Sequence, residues 1–77
     1  MKILVTGATG YIGGRLIPKL LEKGYSVRVF VRDARKIEGR SWFERVEVAT
    51  GDLENREDIS RAMSEVDAAY FLVHSMN

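Results

Sequence analysis

The chain of 77 residues contains no cysteine, which excludes disulfide bonds and thiolate metal sites and makes zinc an unexpected ligand. Its 12 basic and 11 acidic residues leave a formal net charge of +1, without the basic block typical of proteins that bind nucleic acids or membrane surfaces. The apolar stretch from Lys2 to Thr6 is too short for a signal peptide and far shorter than the ~20 residues that span a bilayer. These absences predict an unsecreted, cytoplasmic protein without metal, nucleic acid or membrane, whose partner is a specific small ligand or another protein.

The chain does contain strand and helix patterns in alternation. Strands are predicted at Lys2 to Thr6, Ser26 to Val31, Arg45 to Thr50 and Ala68 to Val73. Helices are predicted from Tyr11 to Lys23, with a bend at Pro18 and Gly24 as the C-terminal cap, and from the N-cap Asn55 to Val66. In the second helix Asp58 is an acid in the first turn, and the predicted buried stripe consists of Ile59, Ala62, Met63 and Val66. Residues 33–41 are polar and favour either one helical turn or a loop.

This alternation predicts an α/β fold, a Rossmann-like doubly wound parallel sheet with right-handed crossovers. Residues 1–77 form about four strands of it, in the expected order 3-2-1-4, as a single partial domain. The first two crossovers should cover one face of the sheet and leave the second helix almost alone on the other. The open edge at Ala68 to Val73 either continues in a longer protein or pairs with a second copy in a homodimer.

Three glycines at a spacing of three follow the first strand in the segment VTGATGYIG. A pyrophosphate needs backbone N–H donors, close approach of the main chain and the positive end of a helix dipole. Gly7 permits the tight turn, Gly10 lets the backbone meet the phosphates, and Gly13 lets the helix pack closely against the strand. The spacing therefore predicts a phosphate-binding turn.

Other groups in this segment add to the predicted site. Thr9 adds a hydroxyl, and the N–H groups of Tyr11 and Ile12 are expected to point at the ligand. No Gly-Lys-Ser/Thr follows, so a classical P-loop is excluded. The alternative is a glycine-rich turn that binds nothing, which the flanking strand and helix disfavour.

The same segment resembles the Thr-Gly-x-x-Gly-x-x-Gly fingerprint of the short-chain dehydrogenase/reductase superfamily. The resemblance is to its extended and atypical branches, the sugar-nucleotide epimerases and dehydratases and the NmrA-like reductases and sensors. It continues through LLEKGYSVRVFVRD, VEVATGDL and VDAAYFLVHSM, over nearly the whole chain. It implies an NAD(P)-binding domain, the front half of an NAD(P)-dependent oxidoreductase or epimerase-like enzyme, or alternatively a non-catalytic sensor or assembly factor.

The end of the second strand bears on which dinucleotide is bound. In the epimerase relatives an acid that binds the ribose hydroxyls falls where this chain has Val31, and Arg32 follows. Loss of the acid and gain of a guanidinium favour the 2′-phosphate of NADP, with Arg35 and Lys36 as further cations. Two alternatives stay open: Asp33 serves as the acid and NAD is preferred, or all these charges are solvated loop residues.

The resemblance also implies roles at the ends of the third and fourth strands. Asp52 would accept a hydrogen bond from the exocyclic amine of adenine and Leu53 would line the ring, unless Asp52 is an ordinary turn aspartate. Val73 and His74 would lie beside the nicotinamide ribose, where the backbone of His74 matters more than its ring.

Most enzymes of this superfamily rely on a tyrosine with a lysine four residues later, which exchanges a proton with the substrate. None of Tyr11, Tyr25 and Tyr70 has that lysine, and core packing is the expected role of the last two. In relatives the pair lies after the fourth strand, so a longer parent would supply it. No residue of this chain is predicted to be catalytic.

Overall fold

The computed structural model describes residues 1–7 and 11–71. In that range the elements are β1 (Lys2–Thr6), α1 (Tyr11–Glu22), β2 (Ser26–Val31), β3 (Glu47–Thr50), α2 (Arg56–Ala62) and β4 (Ala68–Phe71). Two short 3₁₀ turns, Ala34–Lys36 and Phe43–Arg45, lie in the crossover between β2 and β3. The predicted third strand therefore begins at Glu47 instead of Arg45, because Arg45 still belongs to the second turn.

The described strands form one parallel sheet in the order β3-β2-β1-β4. Val5 in the middle of β1 lies opposite Val29 of β2 and Tyr70 of β4. The predicted order 3-2-1-4 is confirmed. Because all strands run in the same direction, the loops that follow β1, β2 and β3 meet where the strands end. This side of the sheet is called its carboxyl edge.

The larger core lies between the sheet and α1. Its buried members come from alternate positions of β1 and β2, from α1 and from the β2–β3 crossover: Ile3, Val5, Ile17, Leu20, Val27, Val29, Val31, Ile37 and Trp42. Ile37 and Trp42 are 0% and 3% exposed, so a crossover without an α-helix still covers this face. Tyr25 packs at the edge of the same core, as predicted.

Helix α1 continues through Pro18 and ends one residue earlier than predicted. Gly24 follows with φ +88°, and its N–H donates to the carbonyl of Leu21 at 3.0 Å. This left-handed residue is the predicted C-terminal cap, a conformation that glycine adopts without steric cost.

The opposite face of the sheet has a small core of Leu4, Phe30 and Ala62. Ala62 belongs to α2, so this helix packs on the face on which the sequence predicted it. Met63, predicted to be buried in the apolar stripe of this helix, is instead 37% exposed.

Helix α2 ends at Ala62 instead of the predicted Val66. The Arg28 guanidinium of β2 donates from Nη1 to the carbonyls of Ala62 at 2.7 Å and Ser64 at 2.9 Å. Glu65 then adopts φ +65°, which turns the chain toward β4. A long-range contact and a left-handed residue thus stop the helix, although the apolar spacing continues to Val66.

Strand β4 is the most exposed part of the sheet. Tyr70 is 41% and Phe71 is 51% exposed, so the expectation that core packing accounts for Tyr70 is wrong for the described chain. The hydroxyl of Thr6 donates to the carbonyl of Tyr70 at 3.3 Å and ties the ends of β1 and β4 together. Residues 72 and 73, predicted to complete the strand, lie outside the described residues.

Candidate functional site

The carboxyl edge of the sheet brings together the ends of β1, β2 and β3. Gly7 follows β1 directly and has φ +75°, a conformation in which any Cβ would be strained. Gly7 thus has the left-handed conformation that the predicted turn requires, while residues 8–10, which would complete that turn, lie outside the described residues. Arg32 follows β2 directly, and Asp52 comes two residues after β3.

The remaining residues of the glycine segment are described only in part. Thr9 and Gly10 lie outside the described residues. Tyr11 and Ile12 are the first two residues of α1, and Gly13 is buried in its first turn. That turn contains no acidic side chain, so the positive end of the helix dipole has no compensating charge of its own.

Arg32 and Asp52, predicted separately as cofactor contacts, form an ion pair. Arg32 Nη2 lies 3.8 Å from Asp52 Oδ1, with side chains 82% and 50% exposed. Two long exposed side chains at this separation attract each other weakly in water, so a bound ligand can displace the contact. The pair places a cation and a hydrogen-bond acceptor side by side at the ends of adjacent strands.

Asp52 is held firmly although its carboxylate is half exposed. Its backbone N–H donates to Asp58 Oδ2 at 2.9 Å, and its carbonyl accepts from the N–H of Asn55 at 2.9 Å. Its own Oδ1 accepts from the N–H of Glu54 at 2.9 Å. The turn role weighed in the sequence is therefore present, and it fixes the orientation of the carboxylate.

Asn55 is the N-cap of α2, as predicted: its Oδ1 accepts from the N–H groups of Glu57 and Asp58. Leu53 precedes this cap by two residues and is 48% exposed. The apolar Leu53 side chain can pack against the face of a purine ring, and the neighbouring Asp52 carboxylate can accept a hydrogen bond from the edge of that ring.

Asp58 contributes to the site in a way that the sequence did not reveal. It was predicted only as an acid in the first turn of α2, yet its carboxylate reaches back to the loop after β3. A Cβ added to Gly51 would lie 2.8 Å from Asp58 Oδ2 and 2.9 Å from its Cβ and Cγ. The glycine before Asp52 therefore makes room for the carboxylate that holds Asp52.

Asp33 uses its carboxylate within its own loop. Oδ1 accepts from the Arg35 N–H at 3.0 Å and from Nε at 3.2 Å, and Oδ2 accepts from Nη2 at 2.9 Å. The Arg35 side chain, followed by its backbone N–H, holds the pKa of Asp33 below its ordinary value. Asp33 is thus the N-cap of the first 3₁₀ turn, with its charge already paired.

Arg40 is a further cation near this edge that no sequence pattern indicated. Its Nη1 lies 3.4 Å from the position that a Cβ on Gly14 would occupy, in the first turns of α1. The long crossover folds back over the helix and brings Arg40 there, so sequence distance concealed the contact. Val73 and His74, predicted beside the nicotinamide ribose, lie outside the described residues.

The chemistry of this edge fits a dinucleotide. A left-handed glycine leads to a helix start without acids, which suits a pyrophosphate, and Arg32 offers a charge-matched donor for a further phosphate. Asp52 with Leu53 offers an acceptor and an apolar surface for a base.

Residues 1–7 and 11–71 contain no cluster of ligating side chains that could hold a metal ion. Within the same ranges, no helix combines the length and apolar character needed to cross a membrane.

Known proteins are similar to the chain in sequence and in fold. The model of the NmrA-like family matches residues 1–77. The chain is 41% identical over 73 residues to sterol demethylase protein B of Methylococcus capsulatus, covering 91% of this chain and 21% of that protein. It thus spans about a fifth of that relative's length.

Two solved structures are similar over the whole chain. One is a nucleoside-diphosphate-sugar epimerase from Staphylococcus aureus, with a TM-score of 0.82 and 26% identity over 100% of this chain and 28% of that one. The other is a short-chain dehydrogenase/reductase superfamily protein from Agrobacterium tumefaciens with bound NAD, with a TM-score of 0.77 and 30% identity over 100% of this chain and 21% of that one. The family match, the strand order and the glycine spacing of the sequence agree, and the chain belongs to the NmrA-like family, among the Rossmann-fold NAD(P)-binding proteins of the short-chain dehydrogenase/reductase superfamily.

Proposed function

We propose that residues 1–77 are one dinucleotide-binding domain of an NAD(P)-dependent oxidoreductase or epimerase-like enzyme, and that this domain prefers NADP. The observation that carries the proposal is the meeting of Gly7, Arg32 and Asp52 at the carboxyl edge of one parallel sheet. This edge is where open α/β sheets bind their ligands. The similar Agrobacterium protein, which holds NAD, supports the same ligand class.

Each part of the dinucleotide has proposed partners in the chain. The pyrophosphate lies on the turn from Gly7 to Gly13, where Thr9, Gly10 and the N–H groups of Tyr11 and Ile12 are the predicted contacts. The adenine lies against Asp52 and Leu53, and the nicotinamide ribose lies beside Val73 and His74. When bound, the cofactor supplies or accepts a hydride, and the substrate is held by parts of a longer protein.

The preference for NADP rests on the charges after β2. Arg32 is 82% exposed and its contact with Asp52 is 3.8 Å long, so its guanidinium is available to a 2′-phosphate. Asp33 is the acid that would favour NAD, but its carboxylate already accepts three hydrogen bonds from Arg35. A ribose hydroxyl would have to compete with this internal pairing.

The match to the NmrA-like family supports a second candidate, a dinucleotide sensor or assembly factor without catalysis. The two candidates differ in turnover and share the cofactor site. A full-length parent that binds NADPH and transfers hydride is an enzyme, whereas one that binds NADPH without turnover and whose sequence lacks Tyr-x-x-x-Lys is a sensor.

We propose that the protein is cytoplasmic, which the absence of cysteine from the sequence supports.

We also propose that the exposed edge of β4, with Tyr70 and Phe71, can pair with a second copy of the chain. Sedimentation across a concentration series tests the dimer, which a monomer at all concentrations would contradict.

Calorimetric titration of the chain with NADPH and with NADH tests the cofactor assignment. Wild type should bind NADPH more tightly, and Arg32→Ala should weaken NADPH about 10- to 100-fold, the worth of a hydrogen bond to a charged group. NADH binding should change far less. Arg45→Ala is the matched control, because Arg45 is an exposed arginine at the amino end of β3, away from the site.

Two results would count against the proposal. Equal affinities for the two dinucleotides, unchanged by Arg32→Ala, would refute the NADP preference. Failure of the folded chain to bind either one would refute the dinucleotide function itself.

A further inference from the structure

Asp58 connects α2 to the loop that carries Asp52. Its side chain is 19% exposed, and its Oδ2 accepts the Asp52 N–H at 2.9 Å across six residues of sequence. Its Oδ1 accepts from Arg61 Nη2, one turn along the same helix. Both carboxylate oxygens are therefore engaged, one by the loop and one by the helix.

The fit between Asp58 and the loop is close. A Cβ on Gly51 would come within 3.0 Å of three Asp58 atoms, including the Cβ that is fixed to the helix backbone. The loop thus lies directly against the first turn of α2, at a distance that only glycine permits. Small changes at Asp58 are expected to move the loop.

The loop in turn fixes the Asp52 carboxylate. Asp52 Oδ1 is bound to the N–H of Glu54, and the Asp52 carbonyl is bound to the N–H of Asn55. The Asp52 N–H is the third anchor, and Asp58 is its acceptor. Without that acceptor a partly buried N–H loses its partner, and the peptide before Asp52 can rotate.

We propose that Asp58 is a positioning residue that orients the Asp52 carboxylate toward the purine and so determines how strongly the site prefers adenine over a purine without its amine. The inference rests on the proposed dinucleotide function and extends it to specificity. Asp58 itself does not touch the ligand; it acts through the backbone of Asp52.

The test compares NADPH with its hypoxanthine analogue, in which an oxygen replaces the exocyclic amine of adenine. Wild type should bind NADPH about 10-fold or more tightly than the analogue, as expected for one hydrogen bond to a carboxylate. Asp58→Leu, which removes the acceptor at similar size, should bring the ratio of the two dissociation constants close to one. Asp58→Asn keeps an acceptor oxygen and should retain most of the preference.

Glu57→Leu is the matched control. It removes a neighbouring acid from the same turn of α2, which changes the helix-end charge equally, but Glu57 is exposed and lies outside the loop contact. Its ratio should equal that of wild type. A merely structural loss would weaken both ligands together and would leave the ratio unchanged.

Each outcome distinguishes the inference from the function on which it rests. Absence of binding of either ligand by wild type refutes the dinucleotide function, and the role of Asp58 with it. Binding with an unchanged preference in folded Asp58→Leu, or no preference in wild type, refutes the role of Asp58 alone.

Amide hydrogen exchange of wild type provides a measurement that needs no variant. The Asp52 amide should exchange more slowly than an unstructured amide because Asp58 accepts its proton. Exchange at the unstructured rate would overturn the inference even if Asp58→Leu does not fold.

Discussion

Replacing Gly51 by alanine tests how tightly the loop after β3 lies against α2. The new Cβ would be 2.8 Å from Asp58 Oδ2 and 2.9 Å from Asp58 Cβ and Cγ, closer than real Cβ atoms approach. Rotation of the Asp58 side chain cannot relieve the contact with its Cβ, so the loop or the helix must shift. Overpacking of this kind costs about 1–3 kcal/mol.

That cost converts to a change in melting temperature. At about 2.1 cal/mol/K per residue, the unfolding entropy of the 77-residue chain is about 0.16 kcal/mol/K. Each kcal/mol therefore lowers Tm by about 6 °C, and Gly51→Ala should melt about 6–18 °C below wild type. Loss of the hydrogen bond from the Asp52 N–H to Asp58 would move the result toward the upper end.

Thermal unfolding followed by far-ultraviolet circular dichroism measures this shift. Gly39→Ala is the control, because a Cβ there meets nothing within 4 Å. Its Tm should be unchanged or slightly higher, since alanine restricts the unfolded chain more than glycine does. If Gly51→Ala had the same Tm as Gly39→Ala, the close contact between the loop and α2 would be refuted.

Three further predictions concern the face of the sheet covered by α2. Arg28→Met should destabilise the fold by about 1.5–3 kcal/mol in urea unfolding, because two carbonyls at the end of α2 lose a charged donor; no change would contradict this. Glu65→Gly should raise Tm, since Glu65 has φ +65° and relief of that strain is worth about 1 kcal/mol; a lower Tm would contradict it. The Arg28 side chain, followed by that of Lys2, holds the pKa of Glu47 below its ordinary value. The native state therefore binds fewer protons than the unfolded state, and stability should fall as pH drops from about 5 to 3; Glu47→Gln should flatten that fall, and equal slopes would refute the assignment.

Local patterns were sufficient to predict much of the fold. Alternating strands and helices gave the parallel order around β1, and Asn55 was identified as the N-cap because its side chain acts on residues two and three positions away. Gly7 and Gly24 both have the positive φ expected where a strand and a helix end. Each of these features depends on contacts close in sequence or on general rules of chain connection.

The features missed in the sequence depend on distant contacts. Helix α2 ends early because Arg28, 34 residues before Ala62, binds its last carbonyls. The apolar strand around Tyr70 predicts a core residue, yet the Tyr70 side chain is 41% exposed because the described residues cover it only in part. The hydrogen bond from the Asp52 N–H to Asp58 was not predicted, because an acid in the first turn of a helix ordinarily interacts with its own helix.

The candidate site likewise combines local features with contacts between residues distant in sequence. Arg32 and Asp52 were each predicted from their place after a strand, but their ion pair follows only from the adjacency of β2 and β3. The pairing of Asp33 with Arg35 is local, yet the sequence alone left open whether that carboxylate would face a ligand. Side-chain competition of this kind is decided by rotamers, which spacing does not specify.

The central claim is that a dinucleotide lies at the carboxyl edge of the sheet. Chemical-shift mapping of the backbone amides during titration with NADPH tests it most directly. The account predicts saturable changes at Gly7, Arg32, Asp52 and Leu53, with little change at Ser26 and Glu47, which begin their strands at the opposite edge. Changes confined to that opposite edge, or none at saturating NADPH, would contradict it.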